Sequence, residues 1–378
     1  MTETLDTSMF SLPFYEMAIV AGGTLFWLFV GVVLAPNLGL VDKPWGHKKH
    51  KNNTPLVGGI ALFLGLMPAF FLFEIISPYN ERLWWASFLI LAVGVWDDIT
   101  GLSIYKRFFL EFIIATIITV GGGLTVKTLG NLIGFGEVEL GVFAVPFTVI
   151  CIVGVINALN MVDGIDGLLV GLTIVSLTAM IYLATIVGRY GEAEIILIII
   201  SALIPVFIFN SRLLGQQTAR IFMGDGGSKL MGLFLAWFTI SLSQSYTPHN
   251  IEQAEPAFPA AGALWLLAIP LIELFSSILR RLLKGRNPFK PDLQHMHHLL
   301  LRAGFSVNHT LMIILGIATI MAIVATVAFT ALIADSIFFV SLLGIYAVYC
   351  IFAHMFWQNR EQQGDQHNYY NNRPLEKH

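Results

Sequence analysis

Near-continuous apolar runs follow one another along the whole of this chain, and each is long enough to cross a bilayer. Examples are 14–35, 165–187 and 310–334, and a helix of roughly 20 apolar residues spans the hydrocarbon core. Only 12% of the residues are charged, whereas a soluble domain has about a quarter. The sequence therefore predicts an all-α integral membrane protein. A single membrane domain, 1–357, precedes a polar tail, 358–378, that is expected to be disordered.

The apolar runs predict about eleven transmembrane helices. Their expected bounds are 14–35, 56–77, 83–98, 108–123, 141–159, 165–187, 193–210, 228–243, 258–280, 310–334 and 336–357. The gaps after odd-numbered helices, with the helix ends that border them and the C-terminal tail, contain all but three of the 21 Lys and Arg residues. By the positive-inside rule that side is cytoplasmic, so the N-terminus is periplasmic and the C-terminus cytoplasmic. Glycines interrupt β-forming residues at 131–140, which favours a small external β-hairpin.

Five polar islands interrupt the apolar chain, and they fall in alternate gaps. They surround Asp42, Asp97, Asp163, Asp225 and His297. Alternate gaps of a chain that crosses a membrane emerge on the same side, so the islands can meet on one face. That arrangement is typical of an active site.

The first two islands combine acids with cations. Asp42 begins a loop that contains Lys48, and the lysines there also suit a simple contact with anionic headgroups. Asp97 and Asp98 are adjacent carboxylates at a membrane boundary, which repel each other unless a cation compensates them. A metal or a role in substrate handling explains this pair better than two solvated loop acids. Arg107 is near enough to meet a phosphate.

The third island repeats polar side chains at intervals of three. Asn157, Asn160, Asp163 and Asp166 lie among Leu, Met, Val and Ile residues, where each needs a polar partner. If the segment is helical, the last three lie near one face as a ladder of oxygen ligands.

The fourth island surrounds Asp225 and has the sequence Gly-Asp-Gly-Gly-Ser from position 224. Its backbone N–H groups suit an anion at a helix N-terminus. Asp225 beside them is suited to Mg²⁺, which prefers carboxylate and phosphate oxygens.

The fifth island is basic and rich in histidine. It contains Arg281, His295, His297 and His298 but no Cys, which disfavours a zinc site. Cations with imidazoles more naturally receive phosphate groups.

Together the acids suit a divalent metal and the cations suit a phosphorylated substrate, both within reach of a lipid headgroup. Phosphoryl transfer onto a membrane lipid is the reaction class that this combination favours. A transporter whose buried acids carry ions is the alternative from another class. The acids cluster at cytoplasmic helix ends, which argues against transport. No nucleic-acid partner is expected.

At these residues the chain resembles the polyprenyl-phosphate N-acetylhexosamine-1-phosphate transferases. The resemblance runs from Val41 to Phe305 and includes the eleven-span plan. The segments that carry it are 42–44, 55–59, 97–98, 157–167, 223–228 and 288–298. The last of them is similar to the form in the branch that uses UDP-GlcNAc, and differs from the His-His-His form of the muramoyl-pentapeptide branch.

The resemblance implies that GlcNAc-1-phosphate passes from UDP-GlcNAc to undecaprenyl phosphate, with Mg²⁺ or Mn²⁺ as cofactor, at the cytoplasmic face of the bacterial inner membrane. The step would initiate a lipid-linked polysaccharide of the O-antigen or common-antigen type. Three questions stay open. The donor could be another UDP-HexNAc, and the reaction could proceed by direct attack or through a covalent aspartyl intermediate. The oligomeric state is also open, and a homodimer is one option.

The resemblance also implies a role for each matching residue. Asp225 is the principal metal ligand, with Asn160 nearby. The expected catalytic residues are Asp97 or Asp98, which would deprotonate or orient the lipid phosphate, and Asp163 and Asp166, which would organise the nucleotide or metal. The expected substrate-binding residues are Asp42, Lys48, Arg107, Asn157, Arg281, His295, His297 and His298.

Overall fold

The computed structural model describes residues 13–42, 54–71, 78–213, 215–244, 256–288 and 294–362. Within these ranges the chain forms thirteen α-helices and a two-stranded antiparallel sheet. The helices are α1 (Phe14–Leu38), α2 (Gly58–Phe71), α3 (Pro78–Thr100), α4 (Ile104–Thr116), α5 (Ala144–Val162), α6 (Leu168–Ile186), α7 (Tyr190–Asn210), α8 (Gly224–Ser243), α9 (Ala260–Leu266), α10 (Ala268–Leu283), α11 (Met296–Arg302), α12 (Val307–Thr330) and α13 (Asp335–Gln362). The strands are β1 (Val41–Asp42) and β2 (Thr54–Pro55).

Seven helices of the described chain are long and apolar enough to cross a membrane. They are α1, α3, α5, α6, α7, α12 and α13, and the bent pair α9 and α10 adds an eighth if it is one span. The predicted class, an all-α membrane protein with several spans, is thereby confirmed. Length and apolarity alone do not support the full set of eleven spans.

The segment expected to form a span at 258–280 is bent rather than straight, because α9 and α10 meet at an angle of 85°. Pro270 lies in the first turn of α10 and lacks the N–H that would bond to the Leu266 carbonyl. The hydroxyl of Ser176 on α6 donates to that carbonyl at 2.7 Å. The bend therefore leaves no unpaired acceptor at this position.

Two smaller predictions, the external hairpin and the domain boundary, are not confirmed. The segment expected to form an external hairpin has one antiparallel bridge, Thr128 with Glu139, and residues 124–140 contain no strand. Helix α13 continues to Gln362, past the expected domain boundary at 357. The rest of the polar tail lies outside the described residues.

Helix α8 lies at the centre of the molecule, where every residue from Gly226 to Ser243 is buried. It packs against α2, α3, α5, α6 and α9. A helix surrounded by protein in this way can carry polar side chains that would be costly against lipid. This is the setting of the candidate site at its N-terminal end.

Glycine pairs allow α2 and α3 to approach the first turn of α8 very closely. A Cβ atom on Gly94 would lie 2.2 Å from the Cα of Gly226, and one on Gly59 would lie 2.3 Å from the Cα of Gly227. Small residues at membrane helix interfaces permit such backbone contact. The contact with α3 brings Asp97 and Asp98 beside the start of α8.

Candidate active site

Four of the five polar islands meet at one end of α8. They are contributed by the C-terminal end of α3, the C-terminal end of α5, the first turn of α8, and α11. These four islands therefore lie close together in the folded chain. Their side chains divide into an acidic group, a buried ion-pair network and a histidine cluster.

Asp98 caps the N-terminus of α8 from the neighbouring helix. Its Oδ1 accepts the backbone N–H of Asp225 at 2.9 Å, and its Oδ2 accepts that of Gly226 at 3.3 Å. The two oxygens thereby satisfy N–H groups at the start of the helix that have no partner within it. The helix start expected to receive a ligand anion thus already faces the carboxylate of Asp98.

Asp97 points into the protein and is held by three donors. Its Oδ1 accepts the Leu102 N–H at 2.8 Å, while its Oδ2 lies 3.3 Å from Arg107 Nη1 and 3.1 Å from Lys229 Nζ. The Asp97 side chain is only 3% exposed. Arg107 also lies 3.8 Å from Asp225 Oδ2, so its guanidinium bridges two carboxylates.

A buried network continues from Asp97 and includes residues that the sequence analysis did not single out. Lys229, with a side chain 1% exposed, lies 3.7 Å from Glu111 Oε1. Asn157 donates from Nδ2 to Glu111 Oε2 at 2.6 Å. Charged residues inside apolar helices are rare and usually functional, and that rule would have drawn attention to Lys229 and Glu111.

The ladder interpretation of the third island is wrong in part, because α5 ends at Val162. Asn160 lies in the helix and donates from Nδ2 to Asp225 Oδ1 at 3.2 Å. Asp163 and Asp166 lie in the connection to α6 instead. Burial, with the nearby carboxylates of Asp225, Asp166 and Asp98, raises the pKa of Asp163 to about 7.

This acidic group fits a divalent cation. The described residues contain no cluster of three or more His, Cys, Asp or Glu side chains already arranged as a metal site. Mg²⁺ needs only one or two carboxylates when water and substrate phosphates complete its shell. Burial is the main cause of the raised pKa of Asp163, and a cation near Asp225 and Asn160 would relieve the carboxylate repulsion that adds to it.

Asp166 accepts hydrogen bonds from the connection between α7 and α8. Its Oδ2 accepts from Arg212 Nε and, at 3.1 Å, from the backbone N–H of Ala219. The neighbouring Gly167 N–H donates to Asn210 Oδ1 at 3.0 Å. These bonds fix the loop that leads to the first turn of α8.

The three histidines form one cluster near the start of α11. Their ring centroids are separated by 4.1 Å for His297 and His298, and by 5.7 and 6.0 Å for the pairs with His295. His295 Nδ1 lies 2.9 Å from Glu273 Oε2, and Tyr349 donates to the other oxygen of Glu273. Glu273 is a further buried acid that the sequence analysis missed.

His297 inserts against the third island at Gly164. A Cβ atom on Gly164 would lie 2.2 Å from His297 Nε2, so only glycine leaves room for the ring. Burial and the neighbouring His298 and His295 rings hold the pKa of His297 well below its usual range. The ring is therefore neutral at physiological pH.

A cavity of about 1110 Å³ connects this site to apolar surfaces of the helices around it. Arg107, Asn157, Asn160 and the three histidines line its polar part. Phe108, Phe112 and Ile150 contribute to its apolar part, with further residues of α5, α8, α9 and α10. Such a cavity suits a ligand with one charged end and one apolar end.

The remaining predicted residues lie at the edge of this site or outside the described chain. Asp42 pairs with Thr54 in the small sheet. Arg281 is buried in the last turn of α10 and donates to the Asn287 carbonyl at 3.1 Å. Lys48 lies outside the described residues.

The chain is similar to known proteins over most of its length. Residues 82–243 match the model of glycosyl transferase family 4. An undecaprenyl-phosphate alpha-N-acetylglucosaminyl 1-phosphate transferase of Yersinia pestis is 36% identical over 324 residues, which cover 86% of this chain and 84% of the relative.

Two further relatives have the same name. The protein from Escherichia coli K12 is 34% identical over 81% of both chains. The protein from Haemophilus influenzae is 32% identical over 79% of this chain and 82% of its own length. With its acidic, basic and histidine groups gathered at the start of α8, the chain belongs to the family of undecaprenyl-phosphate alpha-N-acetylglucosaminyl 1-phosphate transferases.

Proposed function

We propose that this protein transfers GlcNAc-1-phosphate from UDP-GlcNAc to undecaprenyl phosphate, with GlcNAc-diphosphate-undecaprenol and UMP as products. The names of the relatives give the transferred sugar and the acceptor. UDP as the nucleotide is what the resemblance to the polyprenyl-phosphate N-acetylhexosamine-1-phosphate transferases implies, and the segment 288–298 favours GlcNAc over the muramoyl-pentapeptide donor. The reaction starts lipid-linked polysaccharide synthesis at the cytoplasmic face of the inner membrane.

The observation that carries the proposal is the cavity with one polar and one apolar part. Arg107 and the histidines line the same cavity as Phe108, Phe112 and Ile150. A lipid phosphate needs both environments, since its chain seeks apolar walls and its headgroup needs cations. The dimensions and chemistry of the cavity therefore support a prenyl phosphate acceptor.

The chemical step forms one P–O bond and breaks another. An oxygen of undecaprenyl phosphate attacks the phosphorus that carries GlcNAc. The bond from that phosphorus to the oxygen shared with the uridine phosphate breaks, and UMP leaves with the electron pair. Catalysis of such a step rests on positioning and on stabilising charge.

The residues of the site provide these two functions. Asp97, fixed by Leu102 and Lys229, orients the attacking headgroup beside Arg107. His297 and its neighbours contact the diphosphate or sugar across the cavity. Mg²⁺, held by Asp225 with Asn160 and Asp163 nearby, would neutralise charge on the diphosphate.

The test is release of UMP by the purified protein in detergent. UMP is expected only when UDP-GlcNAc, undecaprenyl phosphate and Mg²⁺ are all present, and the Asp225→Asn variant is expected to lose it. A panel of UDP-HexNAc donors tests the sugar. No UMP from any donor would refute the reaction class, and a preference for another donor would refute the assignment of GlcNAc.

A further inference from the structure

Lys229 is the buried cation closest to the predicted catalytic acids. It lies one turn after Asp225 on α8, so both side chains project from the same face of the helix. Its side chain is 1% exposed, and its Nζ lies 3.1 Å from Asp97 Oδ2. No substrate can reach this amine directly while it is enclosed in this way.

Arg107 and Lys229 differ in what they can do for Asp97. Arg107 is 27% exposed and lines the cavity, so its guanidinium can turn toward a phosphate that enters. Lys229 has no such freedom. When Arg107 engages substrate, Lys229 is the cation that remains on Asp97.

Glu111 is the second carboxylate beside the Lys229 amine, after Asp97. Glu111 is fully buried, and its Oε1 lies 3.7 Å from Lys229 Nζ. Asn157 donates to the other oxygen at 2.6 Å and also donates to the Val153 carbonyl at 2.9 Å. A buried lysine is tolerated only when such partners balance its charge.

We propose that Lys229 is a positioning residue for the transferase reaction, which fixes the Asp97 carboxylate from inside the protein, and that Glu111 with Asn157 fixes Lys229. This assignment rests on the proposed function, because its effect is expressed in that reaction. It also changes the role expected of Asn157. That residue supports Lys229 through Glu111, in addition to lining the cavity.

Four variants separate this role from a purely structural one. They are Lys229→Met, Glu111→Gln, the double variant Glu111→Gln with Lys229→Met, and the control Arg189→Met. Arg189 is also a buried cation, and it pairs with Glu192 and donates to the Ser241 carbonyl at the opposite end of α8. Each variant is assayed for thermal stability, kcat and KM in detergent.

Lys229→Met is expected to lower kcat on the order of 100-fold, because a displaced catalytic group loses alignment with the reacting atoms. KM for UDP-GlcNAc is expected to change less than about threefold, since Lys229 does not touch the donor. The variant also leaves Glu111 without its cation, so its melting temperature falls. Arg189→Met is expected to lose stability while the folded fraction retains its kcat.

The double variant decides between the two roles. It removes both buried charges, so its melting temperature is expected to recover while its kcat stays low. Recovery of kcat together with stability would overturn the assignment, because Lys229 would then only balance Glu111. A rise of KM at unchanged kcat for Lys229→Met would overturn it as well. Absence of UMP release by the unaltered protein would instead overturn the proposed function itself, and this assignment with it.

Discussion

The carboxylate of Asp98 accepts the backbone N–H of Asp225 at 2.9 Å, and this bond ties the end of α3 to the first turn of α8. The same carboxylate accepts the next N–H of the helix, from Gly226. The neighbouring Asp97 turns the other way, toward Lys229. Two adjacent acids with the same residue type thus serve two different parts of the site.

Replacement of Asp98 by Ala should destabilise the protein by about 1 kcal/mol, as loss of a helix-capping side chain does. Activity should fall further than stability, because Asp225 is carried by the turn that Asp98 holds. Thermal denaturation in detergent and UMP release measure the two effects. Glu81→Ala, at the exposed start of the same helix, is the control and should change neither. Full activity of Asp98→Ala would contradict this account of the cap.

Replacement of Gly94 by Ala should destabilise the protein by about 1–3 kcal/mol, the usual cost of overpacking. The new Cβ would meet backbone atoms of Gly226, which cannot rotate away as a side chain can. The melting temperature in detergent measures the effect. Gly22→Ala on α1 is the matched control, since no atom lies within 4 Å of its Cβ position. Equal melting temperatures for the two variants would show that α3 and α8 can separate at no cost.

The sequence could predict that the polar islands lie together, because that expectation depends only on the order of apolar runs and polar islands. Helices that cross a membrane in turn leave Asp97, Asp163, Asp225 and His297 on one side, whatever their packing. The residue types in each island likewise indicated metal and phosphate chemistry. These predictions needed no distances between helices.

The contacts inside the site depend on packing that the sequence does not display. Asn157 and Asp166 looked equivalent in a pattern of three, yet Asn157 bonds to Glu111 and Asp166 to Arg212. The reason is that α5 ends at Val162, between them. The pairing of Lys229 with Glu111 likewise joins residues far apart in the chain, and only the structure places them together.

Replacement of Gly164 by Ala should lower kcat/KM to a similar extent as replacement of His297 by Ala. The added methyl group occupies the space of the His297 ring, so each change removes the same contact. The double variant should then be hardly worse than either single variant, because coupled residues do not add. UMP release by all three variants measures the coupling. Strictly additive losses would show that Gly164 and His297 act independently.

The stability of the protein should fall on mild acidification, in part because of His297. The pKa of its ring is lowered in the folded protein by burial and by His298 and His295, while the unfolded ring takes up a proton near pH 6.5. Below that pH the unfolded state binds the extra proton, so folding loses up to about 1.4 kcal/mol per pH unit until the folded pKa is reached.

The non-titrating variant His297→Gln isolates this contribution. Melting temperatures at about pH 7.5 and about pH 5.5 should differ more for the unaltered protein than for His297→Gln. Only the unaltered protein has a ring at position 297 that takes up a proton on unfolding in this pH window. Other acids and histidines affect both proteins alike. An equal drop in the two proteins would mean that His297 is already accessible to protons in the folded state.

Replacement of Asp163 by Asn should stabilise the protein in the presence of a chelator while it lowers activity. The pKa of Asp163 is raised to about 7 by burial and by the carboxylates of Asp225, Asp166 and Asp98. The stability that this raised pKa contributes is present below the unfolded value of 3.8 and is lost as the pH rises through about 7. At about pH 8 the ionised carboxylate therefore opposes folding, and an amide at that position does not.

Added Mg²⁺ should reduce this difference in stability. A divalent cation near Asp225 relieves the repulsion in the unaltered protein, so its melting temperature should rise more than that of Asp163→Asn. Melting curves at about pH 8, with EDTA and then with excess Mg²⁺, measure this difference. Equal responses of the two proteins to Mg²⁺ would place the cation away from Asp163. Equal stability in EDTA would show instead that the carboxylates do not repel each other in the folded protein.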